Sequence, residues 1–214
     1  GGLHHFDIVL IGARGLHHVD QLAGFIDRRL EDVAVLVGQR MIGIVALGWL
    51  LARGDDLLDI DGHGPERRLS EISADTMAAQ FALNATGMAL AVKHFSPLLG
   101  GPRPVFAGLT ARLGSIGDNH LGGWHGYRAG KAALNMLIRN FAVELGRSHA
   151  HAVVVALHPG TVDTGLSAPF QKGVAQGKLF TPEFAAARLL AVLDGLGAAD
   201  SGRLFAWDGA EVPF

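Results

Sequence analysis

Short, continuous apolar runs recur along this chain, separated by longer segments with helical spacing. Phe6-Asp-Ile-Val-Leu-Ile11 stops at Gly12, and Asp32-Val-Ala-Val-Leu-Val37 stops at Gly38. Asp56 to Ile60 is a weaker run, and Pro104 to Leu109 and Arg203 to Ala206 are further ones. The clearest is Ala152-Val-Val-Val-Ala-Leu157, broken by His158-Pro159-Gly160. Runs that are apolar at every position read as strands buried on both faces. Between them, Val19 to Leu30 and Ile44 to Leu51 read as helices, the latter ended by Arg53-Gly54. Ser73-Ala-Asp-Thr opens a helix reaching about Phe95, where Ser96-Pro97 stops it. Another spans about Tyr127 to Gly146, and Thr181-Pro182-Glu183 starts one ending near Leu196. Strands alternating with helices predict an α/β fold with a doubly wound parallel sheet. Ligands of such sheets sit beyond the carboxyl ends of the strands, so loops after Gly12, Leu109 and His158 are expected to converge.

Composition narrows the classes. With 49% hydrophobic and 18% charged residues and a mean hydropathy of +0.29, the chain is apolar, as a sheet covered on both faces requires. Its longest apolar stretch, Met41 to Ala52, is too short to span a membrane. Leu3 to Leu10 follows Gly-Gly without a basic region, so no signal peptide is expected. A net charge of −2 gives no electrostatic reason to expect nucleic acid. Without cysteine there is neither a disulfide framework nor a thiol nucleophile. Of the eleven histidines, His4-His5 and His17-His18 are adjacent pairs that share no face, and no HExxH spacing occurs. The expectation is a cytoplasmic protein with no metal site, in one domain covering residues 1–214.

Tyr127-Arg-Ala-Gly-Lys131 places a phenol and an ammonium four residues apart, on one helix face. An ordinary tyrosine titrates near ~10, too high for facile proton transfer at neutral pH, and a nearby cation lowers such a value by roughly 1–3. That pairing suits an acid/base.

The wider stretch, Tyr127-Arg-Ala-Gly-Lys-Ala-Ala-Leu-Asn135, resembles the signature helix of the short-chain dehydrogenase/reductases. Leu113 to Trp124 and Leu157 to Phe170 resemble the C-factor-like branch of that family, and the likeness covers roughly Pro65 to Phe214. It implies a Rossmann-like fold and hydride transfer between NAD or NADP and a small carbonyl or secondary alcohol. By resemblance, Tyr127 moves the proton, while Lys131 lowers its pKa and binds the nicotinamide ribose. Asn84, in Phe81-Ala-Leu-Asn-Ala-Thr-Gly87, matches the asparagine of a water-linked proton relay; by itself it could equally be a buried polar residue bonded to backbone. Pro159, Gly160, Thr161 and Val162 would flank the nicotinamide, with Thr164 near the phosphates. The carbonyl-polarising hydroxyl falls to Thr110, because strand-end residues point into such sites, with Ser115 as the alternative. Trp124 and Phe170 read as packing residues. The resemblance also implies a homodimer or homotetramer.

Residues 1–64 depart from the pattern. The family glycine loop lets backbone approach a pyrophosphate at a helix N-terminus. Here Gly12-Ala-Arg-Gly15 offers Gly12 and Gly15 as cofactor-binding residues, but Leu16 and His18 occupy the final glycine positions. Gly38 to Ile44 is too short for a parallel crossover, so this N-terminal portion reads as shortened. A diverged cofactor site, a degraded gene copy and an upstream reading-frame error all fit these residues. The rival reading is therefore a non-catalytic or signalling protein on the same fold, with weak or no dinucleotide binding.

Overall fold

The computed structural model describes the strand Gly43–Ile44 and residues 64–99, 101–165 and 167–214. The expectations for Gly12, Gly15 and the other segments before residue 43 lie outside these residues, as does the strand at Asp56–Ile60.

The main sheet has the order β1-β2-β3-β6-β7. It is formed by β1 (Gly43–Ile44), β2 (Val105–Leu109), β3 (Val153–His158), β6 (Leu204–Ala206) and β7 (Glu211–Val212). β1, β2, β3 and β6 run parallel, with Phe106 opposite Val154 and Leu157 opposite Phe205, whereas β7 pairs antiparallel with β6. Two more short strands, β4 (Thr161–Val162) and β5 (Leu179–Phe180), make a separate parallel pair. The helix expected from Ile44 is corrected at its first residue: Gly43 and Ile44 pair with Phe106 and Ala107 in the sheet. A short apolar run does not distinguish a buried strand from a buried helix by periodicity.

Every residue of β3 from Val153 to Leu157 is at most 1% exposed, because helices cover both faces. On one face Val154 and Ala156 join Phe106, Leu134, Ile138 and Met88, and on the other Val153, Val155 and Leu157 join Val105 and Leu193. The helices are α1 (Ala74–Phe81), α2 (Gly87–Phe95), α3 (His125–Ser148) and α4 (Pro182–Gly195). This is the Rossmann-like, doubly wound α/β arrangement. The Ser73 side chain caps α1 by accepting from the Thr76 N–H at 3.1 Å, and Thr181 caps α4 by accepting from Phe184 at 3.2 Å.

α1 and α2 are one helix in direction, joined by a π turn over Ala82–Thr86. Such turns cluster at functional sites because they aim side chains and carbonyls differently from an α-helix. α3 reaches this turn closely through glycine: a Cβ on Gly130 would sit 3.1 Å from the Gln80 carbonyl oxygen and 3.2 Å from Asn84 Cβ. Among the described residues no helix is long and apolar enough to cross a membrane, and no group of three or more His, Asp or Glu could hold a metal ion.

Candidate active site

The carboxyl ends of β2 and β3 bring together the loops at Thr110 and His158, and α3 carries Tyr127 and Lys131 beside them. Tyr127 and Lys131 are 6% and 4% exposed, one helical turn apart. Lys131 Nζ lies 5.7 Å from the Tyr127 ring centroid and donates to the Leu109 carbonyl at 3.4 Å. Burial lowers Lys131 to about 8. Burial also pushes the Tyr127 phenol well above its ordinary value, and the ammonium does not offset it. Burial thus acts on the Tyr127 phenol against the lowering expected from Lys131.

Asn84 stands on the π turn against Gly130, next to Lys131. Its Nδ2 donates to the Gln80 side-chain oxygen at 2.7 Å and to the Gln80 carbonyl at 3.2 Å, while Oδ1 is buried with no hydrogen-bond partner among the described residues. Both the relay reading and the backbone-bonded reading of Asn84 thus have an atom to point to.

The two candidate hydroxyls are both engaged. Thr110 sits at the strand end as expected, with its N–H donating to the Leu157 carbonyl at 2.8 Å. Its hydroxyl, however, donates to Asn135 Oδ1 at 2.8 Å, and Asn135 Nδ2 in turn donates to the Gly114 carbonyl at 3.1 Å. Ser115 donates its hydroxyl to the Pro213 carbonyl and accepts from the Asp118 N–H at 3.0 Å, tying this loop to the segment after β7. Asn135 is a site neighbour not singled out in advance. The signal was available, since Asn135 follows Lys131 at the same spacing by which Lys131 follows Tyr127.

At the end of β3, His158 is mostly buried and its Nδ1 has no partner among the described residues. Burial, aided by the Arg112 charge, lowers His158 to about 4, so it is neutral at physiological pH. Pro159 leads into Gly160, whose φ of +79° suits glycine; a Cβ there would meet the Phe180 ring at 2.6 Å. Thr161 and Val162 follow in β4. The turn after them is held by Ser167, whose hydroxyl donates to the Val162 carbonyl at 2.6 Å and accepts from the Thr164 N–H at 3.3 Å. Thr164 Oγ1 donates to the same carbonyl at 3.4 Å.

The start of α3 was not legible in advance. Gly122, Gly123 and Trp124 are all left-handed, with φ of +64°, +64° and +53°. That conformation costs a non-glycine residue roughly 1–2 kcal/mol. Trp124 is held there by its N–H donating to the Glu66 carbonyl at 2.5 Å, and the Glu66 carboxylate accepts the Gly126 N–H at 3.1 Å. Glu66 is 7% exposed and its Oε1 has no partner among the described residues. It caps the helix that α3's own N-cap residue leaves uncapped. The Trp124 ring meets Tyr127 edge-on at 6.1 Å between centroids and Phe170 at 4.7 Å.

A family profile described as enoyl-(acyl carrier protein) reductase matches residues 54–191. The chain is 37% identical over 148 residues to the C-signal of Myxococcus xanthus, covering 68% of this chain and 83% of that protein. It is 36% identical over 141 residues to a 1-hydroxy-2-glutathionyl-2-methyl-3-butene dehydrogenase of Rhodococcus sp. (strain AD45), covering 66% of this chain and 60% of that one. Among solved structures, an NADPH-bound carbonyl reductase from chicken fatty liver shares the fold with a TM-score of 0.67 at 22% identity, over 92% of this chain and 74% of that one.

Proposed function

Given that the chain belongs to the short-chain dehydrogenase/reductase family, we propose that it is an NAD(P)-dependent oxidoreductase acting on a small carbonyl or secondary alcohol, with Tyr127 as acid/base. The observation that carries this reading is the buried Tyr127–Lys131 pair on α3, set against the carboxyl end of β2. A dinucleotide fits the residues present. Among the described residues Lys131 Nζ has one long bond, to Leu109, and Asn84 Oδ1 and His158 Nδ1 are buried without partners. Lys131, Pro159, Gly160, Thr161, Val162 and Thr164 would hold its nicotinamide half, with Gly12 and Gly15 assigned to the phosphates from the sequence. A bound nicotinamide supplies or accepts the hydride.

In the reducing direction the substrate carbonyl oxygen accepts the Tyr127 proton as its carbon gains hydride. Burial holds that proton on the phenol at neutral pH, so its release in the transition state needs the help of the neighbouring ammonium. As the phenolate forms, the ammonium of Lys131 opposes the new charge at short range, where low dielectric strengthens the attraction. Asn84 Oδ1 offers an acceptor beside Lys131 for a water returning the proton from solvent.

The second reading, a non-catalytic or signalling protein of this fold, draws on one specific observation. Thr110 and Ser115 both spend their hydroxyls on protein partners, so neither stands free to polarise a carbonyl. Titrating the chain with NADH and with NADPH, followed by nicotinamide fluorescence, separates the two. Saturable binding of either supports the oxidoreductase; binding of neither up to millimolar concentration supports the rival.

A further inference from the structure

Tyr127 is the third residue of α3, in a first turn that its own sequence does little to hold. Gly122 and Gly123 lead into this turn and Gly126 lies within it, and glycine is a poor helix former. Trp124, at the N-cap position, is left-handed and supplies no side-chain cap. The first N–H groups of a helix have no partner inside it, so something outside has to bind them.

Glu66 does so from 60 residues earlier in the chain. Its carboxylate accepts the Gly126 N–H, and its main-chain carbonyl accepts the Trp124 N–H. One residue thereby grips both the neighbour before Tyr127 and the residue whose indole stands edge-on to the Tyr127 ring. The approach is close, because a Cβ on Gly126 would lie 2.9 Å from Glu66 Oε1. The Glu66 segment is anchored in turn, since the Arg67 N–H donates to the Glu71 carboxylate at 2.7 Å.

Lys131 is held by other means. It lies one turn further along α3, where Nζ donates to the Leu109 carbonyl. Its backbone packs so tightly on Gly114 that a Cβ there would meet Lys131 Cβ at 2.6 Å. Loosening the first turn of α3 therefore reaches Tyr127 before it reaches Lys131.

We propose that Glu66 is a positioning residue for the proton-transfer step: its bond to the Gly126 N–H fixes the first turn of α3 and, with it, the Tyr127 phenol. Glu66 acts through Tyr127 and takes no part in the chemistry itself. The proposal deepens the oxidoreductase reading and rests on it for the effect on turnover. Misplacing a reacting group by about 1 Å costs up to about 10²-fold in rate, so a lost cap here is felt kinetically as well as thermally.

The test compares the full-length wild type with Glu66→Gln, Glu66→Met and, as a control, Ser73→Ala, which removes a side-chain cap from α1. The chain holds one tyrosine, so tyrosine labelled at Cζ gives a single carbon NMR signal that reports Tyr127 alone. Turnover is read as NADPH oxidation with 2,3-butanedione, an activated small diketone. Glu66→Met fills the buried space without an acceptor. It is expected to shift or broaden the tyrosine signal and to lower kcat about tenfold to a hundredfold, with the Kd for NADPH within about twofold. Glu66→Gln, whose side-chain oxygen accepts the same N–H, keeps the signal and most of the rate. Ser73→Ala lowers Tm and changes neither. In the wild type the Gly126 amide is protected from hydrogen exchange, a measurement that holds even where a variant does not fold.

Open-chain exchange at Gly126 in the wild type would overturn the proposal. So would an unchanged tyrosine signal in Glu66→Met, equal losses in Glu66→Gln and Glu66→Met, or a parallel loss of kcat and NADPH affinity, the mark of a residue that only stabilises. A wild type that neither binds NADPH nor oxidises it removes the oxidoreductase reading, while the exchange and tyrosine signals still decide whether Glu66 fixes Tyr127.

Discussion

Lys131→Met is expected to make the folded protein more stable while removing its activity. Burial takes the ammonium from an ordinary value of 10.5 down to about 8. At about 1.4 kcal/mol per tenfold, holding the charge in place at pH 7 costs the fold roughly 3 kcal/mol. Methionine carries no charge and has a similar length. Its losses are the long bond to Leu109, 3.4 Å in length, and the ammonium's 5.7 Å approach to the Tyr127 ring, together worth about 1–2 kcal/mol. The net gain is roughly 1–2 kcal/mol, which for a chain of this size raises Tm by about 2–8 °C. The pH dependence carries the same information. Between about 8 and 10.5 the native lysine has shed its proton while the unfolded one retains it, so wild-type stability climbs with pH across that window. Tyr127 acts oppositely, but only above 10, where the unfolded phenol ionises first. Calorimetry at pH 7.0 and at 9.5 therefore reads the lysine alone. The variant should start higher and lack the climb. A variant less stable than wild type at pH 7, with an unchanged slope, would mean that the ammonium is paired rather than desolvated.

His158 predicts the acid limb. Its native value of about 4 lies below the ordinary 6.5, so stability falls as pH drops from 6.5 and the loss, roughly 3 kcal/mol, is complete near 4; denaturant melts of His158→Leu should show that limb flattened, and an unaltered limb would contradict the burial. Ala78, Phe81, Met136 and Val143 leave an exposed apolar surface on α1 and α3, and a homodimer or homotetramer that buries it should give a light-scattering mass above 22.5 kDa and split on Met136→Asp; a wild-type monomer at micromolar concentration would refute this. Replacing Leu16 and His18 together by glycine should tighten NADPH binding at least about tenfold, by restoring two or three backbone contacts of about 1 kcal/mol each; fluorescence titration checks it, and submicromolar binding by the unaltered chain would show that the loop has found another geometry.

What could be read in advance was what short-range pattern encodes. Tyr127 and Lys131 share a face because a helix brings every fourth residue into line, and the caps at Ser73 and Thr181 act within three residues. The β3 run is legible because each of its residues is apolar. Ile44 was misread because a short apolar run has no period to betray a strand. The hydrogen bonds of the remaining site residues were illegible because their partners are remote in sequence. Glu66 caps a helix that begins at His125, Thr110 gives its hydroxyl to Asn135, and Ser115 is taken by Pro213. Trp124 and Phe170 each looked like ordinary packing residues. The left-handed turn that sets the Trp124 ring edge-on to Tyr127 depends on Glu66, which lies far back in the sequence.

In the proposed reaction the carbonyl is reduced by proton transfer from Tyr127. Tyr127→Phe removes one oxygen and leaves the ring contacts with Trp124 in place, so the comparison isolates the phenol. The direct measurement is the rate of NADPH oxidation with a carbonyl acceptor at pH 7, wild type against Tyr127→Phe, with Tm recorded for both. A loss of about 10²–10⁴-fold at nearly unchanged Tm is expected. A variant that keeps more than about half of the wild-type rate would contradict it.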